Sequence, residues 1–139
     1  MSYAGDLTPQ QAWAKLAAGA VLVDVRTGGE WAHIGVPDTT SATEKPNDPL
    51  FIQWNLAGGI PNPNFIEQLK QQAPDGANTE LVFLCRSGVR SVAAASAAAE
   101  AGFTAYNVLE GFEGEPDGHG ERTVNGWKNR GLPTTTGKR

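Results

Sequence analysis

A single cysteine, Cys85, stands in these 139 residues, beside one methionine and two histidines. One cysteine cannot close an intrachain disulfide, and a four-cysteine zinc site is excluded outright. Such sparing use of cysteine fits a reducing compartment, so a cytoplasmic location is expected. No apolar run approaches the roughly 18–20 residues that a membrane helix needs. The opening segment, MSYAGDLTPQQAWAKLAAGA, has no basic stretch leading into an apolar one, so no secretory signal is expected. Positive charge is also short, with 11 Lys and Arg against 15 Asp and Glu, a net charge of −4. Neither nucleic acid nor an anionic membrane is therefore expected as a partner, because both repel an acidic surface. His33 and His119 have no second ligand at metal spacing, and no metal or cofactor is expected.

What remains is an ordinary globular composition, 40% hydrophobic and 19% charged, in a chain of one-domain length. Thr8-Pro9-Gln10-Gln11 opens a helix: Thr8 caps, Pro9 suits the first position, Gln11 completes a capping box, and Gly19 ends it. Ala20 to Val25 is too uniformly apolar for a wet face, which predicts a central strand of a parallel sheet. Leu50 to Leu56 is a strand candidate at an edge, and Asn62 or Asn64 caps a helix that stops before Pro74. Residues 35–49 are loop-like. Glu80 to Leu84 predicts a strand, Ser91 to Ala101 a helix ended by Gly102, and Ala105 to Leu109 a fourth strand. Strands alternating with helices imply an α/β domain, a mostly parallel sheet with helices on both faces. One domain over 8–133 is expected, with 1–7 and 134–139 as flexible termini.

The chemistry converges on the turn after the Leu81–Leu84 run. Cys85 ends that strand, and Arg86-Ser87-Gly88-Val89-Arg90-Ser91 leads into an alanine-rich helix. A loop of this kind aims several backbone N–H groups at one spot on the positive end of a helix dipole, where a thiolate or an anion is stabilised. A buried structural cysteine would account for Cys85 alone, but not for two arginines and a glycine beside it. In open parallel sheets ligands also bind beyond the carboxyl ends of strands. Cys85 is the candidate nucleophile.

With these residues in place, the chain resembles the rhodanese family of sulfurtransferases from about Thr8 to Pro133. Val21-Leu22-Val23-Asp24-Val25-Arg26 followed by Glu30-Trp31 is similar to the family's early Asp-x-Arg strand end and its acidic-aromatic pair. Cys85 to Ser91 is similar to the active-site loop of single-domain rhodaneses. Ala101-Gly102-Phe103, then Asn107-Val108-Leu109-Glu110-Gly111 and Trp127, resembles the closing stretch. Two departures stand out. Ala32-His33-Ile34-Gly35-Val36-Pro37-Asp38 replaces the usual Gly-His-Ile-Pro-Gly-Ala, so His33 is not equated with the family histidine. The closing Gly-Gly is altered to Glu110-Gly111-Phe112-Glu113-Gly114, followed by an acidic stretch.

The resemblance implies double displacement: a Cys85 persulfide forms from an anionic donor such as thiosulfate and passes to a thiol, cyanide or protein acceptor. Arg86, Ser87, Gly88, Val89, Arg90 and Ser91 would bind substrate, with Gly88 permitting the curl. Arg90 would repel the helix dipole unless it had an anionic partner. Asp24, Arg26 and Glu30 read as structural support, and Trp54 and Phe112 as candidate pocket walls. Two alternatives stay open. A persulfide carrier or interaction module would keep Cys85 without robust turnover. A cysteine-dependent phosphatase or arsenate reductase would space its Cys and Arg by five residues, whereas four separate Cys85 from Arg90 and Ser91 holds the phosphatase position.

Overall fold

The fold is that of a computed structural model, which describes residues 3–28, 30–31, 35–39, 49–55, 60–73, 80–85, 90–114 and 126–135. Seven strands and three helices follow one another along the described chain: β1 (Gly5–Leu7), α1 (Pro9–Ala17), β2 (Val21–Asp24), β3 (Val36–Pro37), β4 (Leu50–Phe51), α2 (Phe65–Gln72), β5 (Glu80–Leu84), α3 (Arg90–Glu100), β6 (Thr104–Val108) and β7 (Thr134–Thr135). Five of the strands form one sheet in the order β1-β6-β5-β2-β4, and every pairing in it is parallel. β3 and β7 pair antiparallel on their own.

Local sequence explains where α1 begins. The Thr8 hydroxyl accepts the Gln11 N–H at 3.2 Å while the Gln11 side chain accepts the Thr8 N–H at 2.9 Å. Reciprocal capping of this kind is worth about 1 kcal/mol over an uncapped end. Gly19 adopts φ 106° just past the helix, a conformation that glycine takes without penalty. α2 follows Asn64, but the side chain that serves this turn is Asn62, whose carbonyl oxygen accepts the Asn64 N–H at 3.0 Å.

The period of two in the central strands sends alternate residues into two cores. Val21, Val23, Leu81, Phe83 and Cys85 pack with Phe65 and Leu69 of α2 and Ala94, Ala95 and Ala98 of α3. Leu22, Val82, Leu84 and Val108 pack on the other face with Ala12 and Leu16 of α1, Phe112 and Trp127. The alanines of α3 let its axis lie close against β5 and β6. Covered on both faces, β5 is apolar at four successive buried positions. Among the described residues no helix is long and apolar enough to cross a membrane.

Three elements differ from the sequence expectation. Gly5–Leu7, assigned to a flexible terminus, is an edge strand in register with Tyr106, Asn107 and Val108. Thr134 and Thr135, likewise placed in a flexible end, pair with Pro37 and Val36, so residues 36–37 are not plain loop either. The Leu50–Leu56 strand shrinks to Leu50–Phe51. Beyond it the Ile52 and Trp54 N–H groups still reach the Asp24 and Val25 carbonyls, while Asn55 turns to bridge Pro61.

Candidate active site

Cys85 follows β5, the central strand, and is 1% exposed. Its main chain is held from two sides. The Leu84 carbonyl accepts the Val25 N–H at 2.8 Å, and the Cys85 carbonyl accepts the Phe112 N–H at 2.7 Å. β2, β5 and the turn after β6 therefore meet at the cysteine. Burial of this depth suits a core cysteine as well as a nucleophile, so the side chains around the sulfur decide between them.

The first is Ser91, in the opening turn of α3. It is fully buried, and its Oγ lies 3.2 Å from Cys85 Sγ. The same hydroxyl donates to Asn107 Oδ1 of β6, and Asn107 Nδ2 donates to Asp6 Oδ1 at 3.1 Å. Asn107 is 1% exposed, in a strand whose neighbours are mostly apolar. Neither Asn107 nor Asp6 stood out as a site residue in the sequence. A polar side chain at a buried strand position was the available signal.

The second is Arg90, the first residue of α3. Its guanidinium grips Glu30 at two points, Nη1 to Oε1 at 2.7 Å and Nη2 to Oε2 at 2.9 Å. The anionic partner that its place at the helix start demands is thus a residue of this chain. The pair raises the already high Arg90 pKa, burial opposes the rise, and the charges of Glu30, Cys85 and Asp24 add to it. Burial pushes the Glu30 carboxyl up, but Arg90 and the Thr27 N–H outweigh it and hold Glu30 below the usual range. Arg90 thus places a positive charge, bound to Glu30, at the start of α3.

Asp24 and Arg26 form a separate, wholly buried pair. Arg26 Nη2 lies 2.7 Å from Asp24 Oδ2 and 2.8 Å from the Gly35 carbonyl, so the pair ties the end of β2 to the approach to β3. Among the described residues Arg26 Nη1 finds no hydrogen-bond acceptor, and the guanidinium lies 4.2 Å from the Phe112 ring centre. The aromatic face offsets part of that loss.

The other predicted positions divide. Phe112, a candidate pocket wall, is fully buried beneath Arg26, and its N–H supports the Cys85 carbonyl. Trp54 is half-buried and stands edge-on to Phe65 at 4.9 Å, in the core that also contains Cys85. Arg86, Ser87, Gly88 and Val89 lie outside the described residues, as do His33 and the acidic residues 115–121. Among the described residues no group of three or more His, Cys, Asp or Glu could hold a metal ion.

A lone cysteine at the carboxyl end of the middle strand of a 1-6-5-2-4 parallel sheet now has its geometry, and comparison with known proteins gives it a family. Residues 8–114 match the model of the rhodanese-like domain. The chain belongs to the rhodanese-like domain family. Its rhodanese-like fold is close to the crystal structure of Rv0390 from M. tuberculosis, with 47% identity, a TM-score of 0.89, and coverage of 98% of this chain and 100% of that one. A rhodanese-like domain protein from Staphylococcus aureus shares the fold at a TM-score of 0.59 and 21% identity, over 95% of this chain and 99% of that one. An uncharacterized protein of Rickettsia rickettsii is 36% identical over 115 residues, 82% of this chain and 81% of its own length. A rhodanese-like domain fits a sulfurtransferase family.

Proposed function

We propose that the protein is an enzyme of the rhodanese type, with Cys85 as the nucleophile that carries a sulfane sulfur from an anionic donor to a thiophilic acceptor. The observation that carries this reading is the sulfur's setting: Cys85 Sγ sits at the end of the central strand, 3.2 Å from the Ser91 hydroxyl and within the field of Arg90. A purely structural cysteine needs no positioned cation beside it.

With thiosulfate as donor, the Cys85 thiolate attacks the outer sulfur. The S–S bond of the donor breaks, and sulfite leaves with the bonding pair. Cys85 then bears a persulfide anion. A thiolate or cyanide attacks the outer sulfur next, and Cys85 leaves as thiolate, ready for another donor. No redox partner or cofactor enters, because one displacement reverses the electronic change of the other. In this reading the backbone of Arg86, Ser87, Gly88 and Val89, with Ser91, holds the persulfide, and Arg86 supplies the charge that meets the donor anion. The chain acts, in this reading, as one domain, in the cytoplasm, on small anionic donors and on thiol, cyanide or protein acceptors.

Intact-mass measurement after incubation with thiosulfate tests the proposal. A gain of about 32 Da, one sulfur, is expected, removable by cyanide or a thiol and absent in Cys85→Ser. An unchanged mass with thiosulfate and with other sulfane donors overturns it.

A further inference from the structure

The Ser91 hydroxyl has one proton and two candidates for it, Cys85 Sγ at 3.2 Å and Asn107 Oδ1. Which one receives it depends on how the Asn107 amide is turned, and that choice is fixed elsewhere. Asp6 lies on the exposed edge strand β1, and its carboxylate only accepts hydrogen bonds. Tyr3 OH donates to Asp6 Oδ1 at 2.7 Å, and Asn107 Nδ2 donates to the same oxygen at 3.1 Å. The amide therefore aims its NH2 at Asp6 and its carbonyl oxygen at Ser91. An amide oxygen cannot donate, so Ser91 gives its proton to Asn107 and turns a lone pair towards the sulfur. The atom that a serine lone pair suits is an S–H, not a thiolate.

We infer that Asp6, acting through Asn107 and Ser91, is a positioning residue that biases resting Cys85 towards its thiol form. The inference rests on the reading of Cys85 as the nucleophile only for its biological meaning; the hydrogen-bond relay itself is a property of the fold. Forming the thiolate favours a Ser91 proton turned to sulfur. That leaves two oxygens, of Ser91 and Asn107, facing each other with no proton between them. Rotating the amide relieves this contact but presents its oxygen to the Asp6 carboxylate. A positive charge that reaches Cys85 is that of Arg90 at the start of α3, which is bound by Glu30. Among the described residues, Asp24 pairs with Arg26 on the β2 side and Glu30 pairs with Arg90. Tyr3 is the ionisable neighbour of Asp6 on its own side, and its hydroxyl is held protonated above the usual phenol range by the hydrogen bond to Asp6.

The test is the pH profile of Cys85 alkylation by iodoacetamide, an uncharged probe that reads the thiolate fraction without any sulfur transfer. Asp6→Ala should move the half-maximal rate to lower pH by about half a unit or more, the size of one hydrogen bond. Removing a negative charge would also move it, so the same substitution is made on a Ser91→Ala background. A relay effect disappears there, whereas a through-space effect persists. Asn107→Ala, in which Asp6 has nothing left to orient, provides the same cycle should Ser91→Ala fail to fold. No shift in Asp6→Ala, or an equal shift on both backgrounds, overturns the inference. Sulfur loading from thiosulfate is measured separately, so its failure would remove the enzyme reading and leave the relay standing.

Discussion

Glu30 and Arg90 lie 60 residues apart in sequence and are joined by two parallel hydrogen bonds of 2.7 and 2.9 Å. One residue belongs to the turn after β2 and the other opens α3, so the pair spans the chain end of the sheet on which Cys85 sits. Thr27 pins Glu30 from behind through its N–H and hydroxyl, each at 3.2 Å. The start of α3, and Ser91 with it, is anchored to a neighbouring strand end by a charged fork.

That anchor has a measurable pH signature. Glu30 titrates below its ordinary range in the folded protein, so protonation favours the unfolded chain. The stabilisation is complete above about pH 4.3, the ordinary value for Glu, and is lost as pH falls through the lower folded value. Glu30→Gln should cost about 1–2 kcal/mol at pH 7, because both side chains keep some exposure and solvent screens the pair. Chemical denaturation of wild type and Glu30→Gln at pH 7 and pH 3 checks this. A stability difference that does not shrink at the lower pH contradicts the assignment.

Arg90→Ala should remove the same anchor and lower kcat/KM for thiosulfate by an order of magnitude or so, as a lost charge-assisted contact does. If Arg90 works by holding the start of α3, Glu30→Gln reproduces much of that loss, and the double variant is little worse than either single one. Steady-state rates for the three variants decide it. Fully additive losses would mean that Arg90 meets the substrate directly.

Phosphate monoesters should be poor substrates. Four residues separate Cys85 from Arg90, and the next position is Ser91, whose hydroxyl points inward at Cys85 and Asn107. No arginine at that position can fold over a phosphate. Turnover of an aryl phosphate, measured beside thiosulfate, should be lower by about a hundredfold or more, the scale of a missing oxyanion donor. Comparable rates would refute the argument from loop length.

Gly126 should accept no side chain. Its φ is 99°, and a Cβ there would stand 2.5 Å from the Gly114 nitrogen and 2.6 Å from the Glu113 carbonyl carbon. Backbone cannot give way as a flexible side chain can. Gly126→Ala should lower stability by about 2 kcal/mol or more, from strain and displacement of the Phe112–Gly114 turn that supports Cys85. A thermal melt that is unchanged would show that the turn is free to move.

Much of this molecule was legible because it is written locally. The Thr8–Gln11 capping box, the apolar Glu80–Leu84 strand and the glycines at 19 and 102 each announce themselves within a few residues. The short strands did not. Gly5–Leu7 and Thr134–Thr135 have no pattern of their own and become strands only through partners a hundred residues away. The site divides along the same line. Cys85 and Arg90 were found from their spacing in one loop, whereas the Glu30–Arg90 fork and the Asp6–Asn107–Ser91 chain exist only once distant strands lie side by side. Phe112, a candidate pocket wall in the sequence, packs against Arg26 and meets the Cys85 carbonyl through its N–H, contacts that only the fold brings together.

The sheet also ends in a particular way. Its outer strands are three residues long at β1 and two at β4. An exposed strand flank is a template on which a second molecule can extend the ladder, and the risk grows with the number of unsatisfied amide and carbonyl groups in a row. Here those rows are cut short on both flanks, while the longer strands β5, β2 and β6 are all interior. Self-assembly through strand exchange on this sheet would require the core strands to come out first.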